Sequence, residues 1–230
     1  VLTSPYEGAA EWDAQQPFHI ERIKEKVLLP RPKMVRQINE MAERVGAELV
    51  VLDPAVPLGI VGPYLDLPYD VVLHGAEVTV PGRLPMSRAV LGRVLRQARH
   101  VVAAGGYPAR EAERAAKCKL PMTIVPPGVD ASRFVPLDEQ QRRLARERFG
   151  IGENADMVIG LSRLVPRKGF DVLIRAVASL SATNPDVTLV IAGKGRDRKR
   201  LEKIAEQTNA PVKFLGRVPD EDLPALFGCA

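Results

Sequence analysis

The chain has 230 residues, 46% of them hydrophobic and 27% charged, with a formal net charge of +5. That is more chain than one average domain needs, and the balance excludes wholesale disorder, a collagen-like repeat and a disulfide-stapled miniature. The basic surplus suits phosphate-bearing partners such as a nucleotide or an anionic membrane surface, while only 5% aromatic residues leave few stacking platforms and argue against nucleic acid. No apolar run approaches the roughly 18 residues of a membrane span, and VLTSPYEGAA carries no leader pattern. Cys118 and Cys229 lie far apart with no metal-ligand spacing around them, so a reduced, cytoplasmic setting is expected.

From about Glu48 onward the apolar runs alternate as strand and helix. ELVVLD at 48–53, YDVVLH at 69–74, HVVAA at 100–104 and MTIVP at 122–126 read as short buried strands. Between them lie helical patterns. Met34, Ile38, Met41 and Val45 recur on one helical face, with Pro32 suited to the first turn and Gly46 to the stop. Residues 87–98 and 109–118 give two further helices. The Pro- and Gly-rich run PPGVDASRFVPLDEQ at 126–140 breaks the rhythm, and a bridging helix at 138–149 follows. A second set then begins: strand 156–162, helix 170–181, strand 187–193, helix 197–208 and strand 212–216. Apolar strands joined by helical crossovers predict an α/β fold of two Rossmann-like parallel halves. The expected division is 1–135, a hinge at 136–154, and 155–230. Both ends read as cut: Val1, Leu2 and Thr3 look like the tail of a strand, and DEDLPALFGCA like an interrupted helix.

In open α/β sheets, ligands bind outside the carboxyl ends of the strands, which selects four loops. In LSRLVPRKGFD at 161–171, Arg163, Arg167 and Lys168 crowd a loop that ends at Gly169, where a helix begins. Unpaired N–H groups, a positive dipole end and fixed cations suit a diphosphate, and would stabilise its charge if it departs as a leaving group. A solvated basic loop is the plainer alternative. In LHGAEVTVPGRLP at 73–85, His74 ends a strand, Gly75 permits close backbone approach, Glu77 follows, and the prolines and glycine downstream mark a mobile loop. A strand-end histidine bonded to backbone is the competing reading. IAGKGRDRKRLE at 191–202 sets Gly193 and Gly195 in a strand-to-helix turn, with Lys194 and Arg196 in reach of phosphates, though such turns are common. FLGRVPDEDL at 214–223 offers the backbone around Arg217 and Val218 to a planar base. Phosphate-loop, zinc-protease, nucleophile-elbow and paired-Cys metal signatures are absent, and no G-x-G-x-x-G follows a strand.

Taken in order, HGAEVTVPGRLP, IVPPGVDASRF at 124–134, LSRLVPRKGFDVLIRA, IAGKGRDRKRLE and VKFLGRVPDEDLPALF resemble the retaining glycosyltransferases of family 4, which have the GT-B fold. The resemblance covers nearly the whole chain and leans toward actinobacterial GDP-mannose-dependent mannosyltransferases, some of which act on phosphatidylinositol. It implies transfer of a sugar from a nucleotide-sugar donor to a lipid or glycan acceptor, with no cofactor, no bound metal and no stable protein partner. It implies catalytic roles for Arg163 and Lys168 on the donor diphosphate and for His74 on the transferred sugar, from the other domain. Gly193 and Gly195 would let the chain turn near the nucleotide, and Arg217 and Val218 would read the base through their backbone. The family's opening strand with its glycine-rich loop and its later glutamate-containing segment are missing, so this chain is expected to lack full activity. Where relatives carry a serine before the tyrosine, Ala104, Gly105 and Gly106 stand, which puts a polar acceptor contact there in doubt. Arg31, Lys33 and Arg36 open an amphipathic helix that could meet anionic lipid on the inner face of the plasma membrane, or simply be a solvated face over Met34, Ile38 and Met41. A nucleotide-sugar-binding module without transfer, and a sugar-nucleotide epimerase of the same fold, are the competing readings.

Overall fold

The computed structural model describes residues 1–76, 78–79 and 84–230. The chain divides into two compact units, Val1–Gly128 and Val129–Ala230, with the division inside the Pro/Gly-rich run.

The first unit opens with β1 (Leu2–Thr3), α1 (Ala9–Asp13) and β2 (Glu21–Arg22), with the two strands paired in parallel. Arg22 ties this small piece together, donating to both carboxylate oxygens of Asp13 at 2.7 Å and to the Ser4 carbonyl at 2.6 Å. Helix α2 (Pro32–Arg44) follows, with Pro32 in the first turn. Met34, Ile38 and Met41 are buried, because their spacing puts them on one face over the sheet.

The main sheet of this unit is parallel, in the order β3 (Val50–Leu52), β4 (Tyr69–Leu73), β5 (His100–Ala103), β6 (Met122–Ile124). The central β4 buries Val71 and Leu73 completely, whereas the edge strands leave Val51 and Ile124 exposed. Helices α3 (Pro85–Gln97) and α4 (Gly106–Ala116) pack closely where Gly92 faces the Ala115 carbonyl; a Cβ at Gly92 would lie 2.5 Å from that oxygen. Helix α4 starts three residues ahead of the expected 109 and ends two residues before the expected 118, because Lys117 adopts a left-handed conformation at φ 58°. Between β3 and β4 the chain forms a 3-10 helix, Leu58–Tyr64, for which the sequence carried no periodic signal.

The second unit begins with α5 (Glu139–Phe149), capped at Asp138 by a reciprocal box with Gln141. Its parallel sheet has the order β7 (Asp156–Leu161), β8 (Val187–Ala192), β9 (Val212–Gly216), with α6 (Phe170–Ser181), α7 (Arg198–Thr208) and α8 (Leu223–Gly228). Strand β8 is central and nearly all buried. Ile174, Leu189, Ile191 and Leu201 form the densest core on one side, and Ala145, Val190, Ala192 and Leu226 close the other. This is the α/β architecture expected, and it brings three strand ends together.

Candidate functional site

The carboxyl ends of β7, β8 and β9 carry three of the four selected loops, and backbone hydrogen bonds stitch these loops to one another. Ser162 N–H donates to Ala192 O at 3.2 Å, Leu164 N–H to Lys194 O at 3.0 Å, and Asp197 N–H to Leu164 O at 3.2 Å. Gly193 N–H donates to Gly216 O, the residue before Arg217. Two glycines permit this closeness. A Cβ at Gly193, whose φ is +136°, would lie 1.9 Å from the Ser162 carbonyl oxygen, and one at Gly195 would lie 2.1 Å from that of Leu164. Their demonstrable task is to let the loop carrying Arg163 lie against the next one.

Arg163 sits between Ser162 and the fully buried Leu164, so its neighbour is anchored while its own side chain is exposed. Pro166–Lys168 form a single 3-10 turn that leads through Gly169 into α6, placing Lys168 just ahead of a helix start. Among the described residues, the side chains of Arg163, Arg167, Lys168, Lys194 and Arg217 form no hydrogen bond or ion pair. The acids close by are already engaged. Arg200 grips the buried Asp197 carboxylate at 2.7 and 2.8 Å and reaches Asp171 at 3.4 Å. That guanidinium holds the Asp197 carboxyl below its ordinary range against the opposing effect of burial, with Arg196 adding to it. Arg198 is likewise committed, to Glu202 at 2.7 Å and to the face of Phe214 at 5.2 Å. The strand ends therefore present uncompensated positive charge, the electrostatic requirement of an anion site. Val218 turns its side chain into the core beside Leu226, while Arg217 is exposed.

His74 belongs to the first unit, directly after β4. Its ring Nε2 lies 2.9 Å from Asp53 Oδ1, a carboxylate that directly follows β3. Gly75 has φ +133°, a conformation that a residue with a Cβ rarely adopts, although the space around it is open. Its carbonyl accepts from the backbone of Val78 and Thr79 and from the Thr79 hydroxyl, so the loop curls immediately after the histidine. Glu77, Pro81 and Gly82, singled out in the sequence, lie outside the described residues. Just after Ala104–Gly106, the half-exposed Tyr107 hydroxyl accepts from Thr79 Oγ1 at 3.3 Å. Sequence reasoning had no means of finding Asp53, which no local spacing connects to His74, whereas the Asp197–Arg200 clamp has the i,i+3 spacing of a helical ion pair and could have been picked out by it.

The sequence profile described as Glycosyl transferases group 1 matches residues 141–230, nearly the whole second unit and all three stitched loops. Through these residues the second unit matches that family's profile. Over 98% of its length it is 32% identical to a GDP-mannose-dependent alpha-(1-6)-phosphatidylinositol monomannoside mannosyltransferase of Mycolicibacterium smegmatis. Over 96% it is 29% identical to the corresponding monoacylated-substrate enzyme of Corynebacterium glutamicum. It spans 60% and 59% of those two proteins. The crystal structure of Anabaena HepE with UDP and glucose matches 92% of this chain and 59% of its own, at 20% identity and a TM-score of 0.74. That likeness is one of fold, and the fold is GT-B. The alignment to the first of these relatives extends over both units of the chain.

Proposed function

We propose that the chain serves a retaining glycosyltransferase that moves mannose from GDP-mannose to a lipid or glycan acceptor. The observation that carries this reading is the unpaired cation set, Arg163, Lys168 and their neighbours, on loops locked together at the ends of β7, β8 and β9. In such a transfer the bond from the anomeric carbon to the diphosphate oxygen breaks, and negative charge grows on the departing nucleotide. Arg163 and Lys168 are the groups assigned to stabilise that charge, because donors already fixed in place need no reorganisation as it develops. His74 is the candidate contact for the transferred sugar. The backbone at Arg217 and Val218 is assigned to the base, and Gly193 and Gly195 to holding the phosphate loop. The names of the relatives, GDP-mannose-dependent enzymes acting on phosphatidylinositol monomannoside, support the donor and the acceptor class.

Peripheral contact with the inner face of the plasma membrane is part of the proposal. Among the described residues no helix is long and apolar enough to cross a membrane. The apolar face of α2 is spent on the core, so the lipid-facing element is the segment ahead of it. There Val27 and Leu29 are 55% and 40% exposed, flanked by Lys24, Lys26, Arg31, Lys33 and Arg36. Exposed apolar side chains among cations suit an anionic interface.

The test is calorimetric titration with GDP, UDP and ADP, followed by GDP-mannose. Selective binding of GDP that is lost in Arg163→Ala is the expected result. Equal weak binding of all three, unaffected by Arg163→Ala, overturns the donor site; binding without mannose transfer by the intact enzyme favours the binding-module reading.

A further inference from the structure

We infer that Asp53 is a positioning residue for His74, fixing the ring of the histidine by accepting its Nε2 proton. The two residues come from adjacent parallel strands and each directly follows its strand, Asp53 after Leu52 and His74 after Leu73. The register that pairs Leu52 with Val71 sets the two strand ends side by side. Ala55 N–H donates to Val72 O at 3.2 Å, which continues the pairing past Asp53 and pins its backbone beside β4. On the opposite side of β4, Ala104 N–H donates to Leu73 O at 2.8 Å, so the residue before His74 is also held. Pro54 restricts Asp53 to an extended conformation.

With both backbones fixed, the 2.9 Å contact between Asp53 Oδ1 and His74 Nε2 restrains the rotation of the ring. A carboxylate can only accept, so the proton of the neutral imidazole resides on Nε2. The side chains are 58% and 54% exposed. An exposed pair of this kind contributes little to folding stability, which leaves orientation as its physical consequence. Gly75, immediately after the histidine, has φ +133°. That a sugar meets His74 rests on the proposed function; that Asp53 holds the ring does not.

The test uses the chain itself, labelled with 15N-histidine, in long-range 1H–15N spectra recorded in the neutral form. Three histidines make the spectrum simple, and His74→Gln assigns the resonance. His74 is expected to show the Nε2–H tautomer almost alone, to fall back in Asp53→Ala to the milder Nε2–H excess of free histidine, and to keep more than that excess in Asp53→Asn, whose amide oxygen still accepts. His100, whose Nε2 lies 2.9 Å from Thr123 Oγ1, serves as the internal control that the sheet is intact. An unchanged His74 tautomer in Asp53→Ala, with His100 also unchanged, overturns the inference. If Asp53→Ala disturbs His100, Asp53→Asn decides instead: a His74 in that variant no richer in Nε2–H than free histidine overturns the inference, and an Nε2–H excess above the free value supports it. If the histidine responds as expected but no nucleotide binds, the proposed function fails while the positioning role stands.

Discussion

The carbonyl oxygen of Ser162 occupies the space where Gly193 would carry a Cβ, 1.9 Å from that position. The approach leaves no room for any side chain, and the atom in the way is backbone, which cannot swing aside. Gly193→Ala is therefore expected to push the 162–164 loop off its hydrogen bonds and carry Arg163 with it. The core of the second unit lies on other elements, so the fold should survive with a loss of about 1–3 kcal/mol, the usual range for an overpacked site. GDP affinity should fall at least tenfold while far-ultraviolet circular dichroism is retained. Wild-type affinity in this variant would mean that the stitched loops are not what positions the cations.

Arg163→Ala and Lys168→Ala are each expected to weaken nucleotide binding without changing the unfolding midpoint, because neither side chain has a partner among the described residues. Two variants of equal stability and unequal affinity would separate the two cations. Arg163→Lys should recover only part of the loss, since a point charge does not reproduce the paired donors of a guanidinium. Isothermal titration at two salt concentrations checks this. The wild-type affinity should drop with salt more steeply than that of either variant, as one fixed charge fewer faces the anion.

The parts of this molecule that were legible in the sequence are those governed by short-range rules. Helix α6 and strand β9 lie where periodicity put them, at Phe170–Ser181 and Val212–Gly216. Apolar spacing there coincides with clear stop signals. The 3-10 helix at Leu58–Tyr64 was not legible, because the segment carries no periodic apolar signal. Its reason is tertiary: Gly62 lies so near the Tyr69 ring that a Cβ would come within 2.6 Å. The same limit applies at the site. Arg163 could be picked out because it directly follows a strand, whereas Asp53 stands 21 residues before His74 with nothing local to connect them. The close approach that requires Gly193 and Gly195 is likewise a meeting of two loops, invisible to any window on one of them.

Acid should loosen both units by the same mechanism. The hydrogen-bonded Arg200 lowers the Asp197 carboxyl, and Arg99, donating at 3.0 and 2.8 Å, lowers that of Asp70. A carboxyl whose folded value lies below its unfolded value adds stability that is fully present above the unfolded value, near 4, and is lost as pH falls through the folded one. Urea midpoints should accordingly be flat from pH 7 to about 5 and decline below about 4. Asp197→Asn should lower the midpoint at pH 7 and flatten the acid limb. A limb of unchanged steepness in that variant would assign the acid sensitivity to other groups.

Arg146 poses the last question, because it is a cation only 3% exposed that, among the described residues, forms no ion pair with a carboxylate. Instead it donates to three backbone carbonyls: Cys229 at 3.0 Å, Gly152 at 3.0 Å and Glu153 at 2.6 Å. One side chain thus ties α5 to the turn ahead of β7 and to the end of α8. Its removal leaves the buried Cys229 carbonyl without its donor, which costs about 1–3 kcal/mol, and releases the carbonyls of the exposed Gly152 and Glu153 to water. Arg146→Met keeps much of the volume and removes the donors, and it should lower the stability of the second unit by about 2–3 kcal/mol. Arg146→Lys should lie between, since an ammonium can reach some but not all three carbonyls in that geometry. Amide hydrogen exchange would locate the effect, with protection falling first in α8 and the 150–155 turn and last in β8. Uniform loss across β8 at the same rate would instead make Arg146 part of the global core, not a local tie.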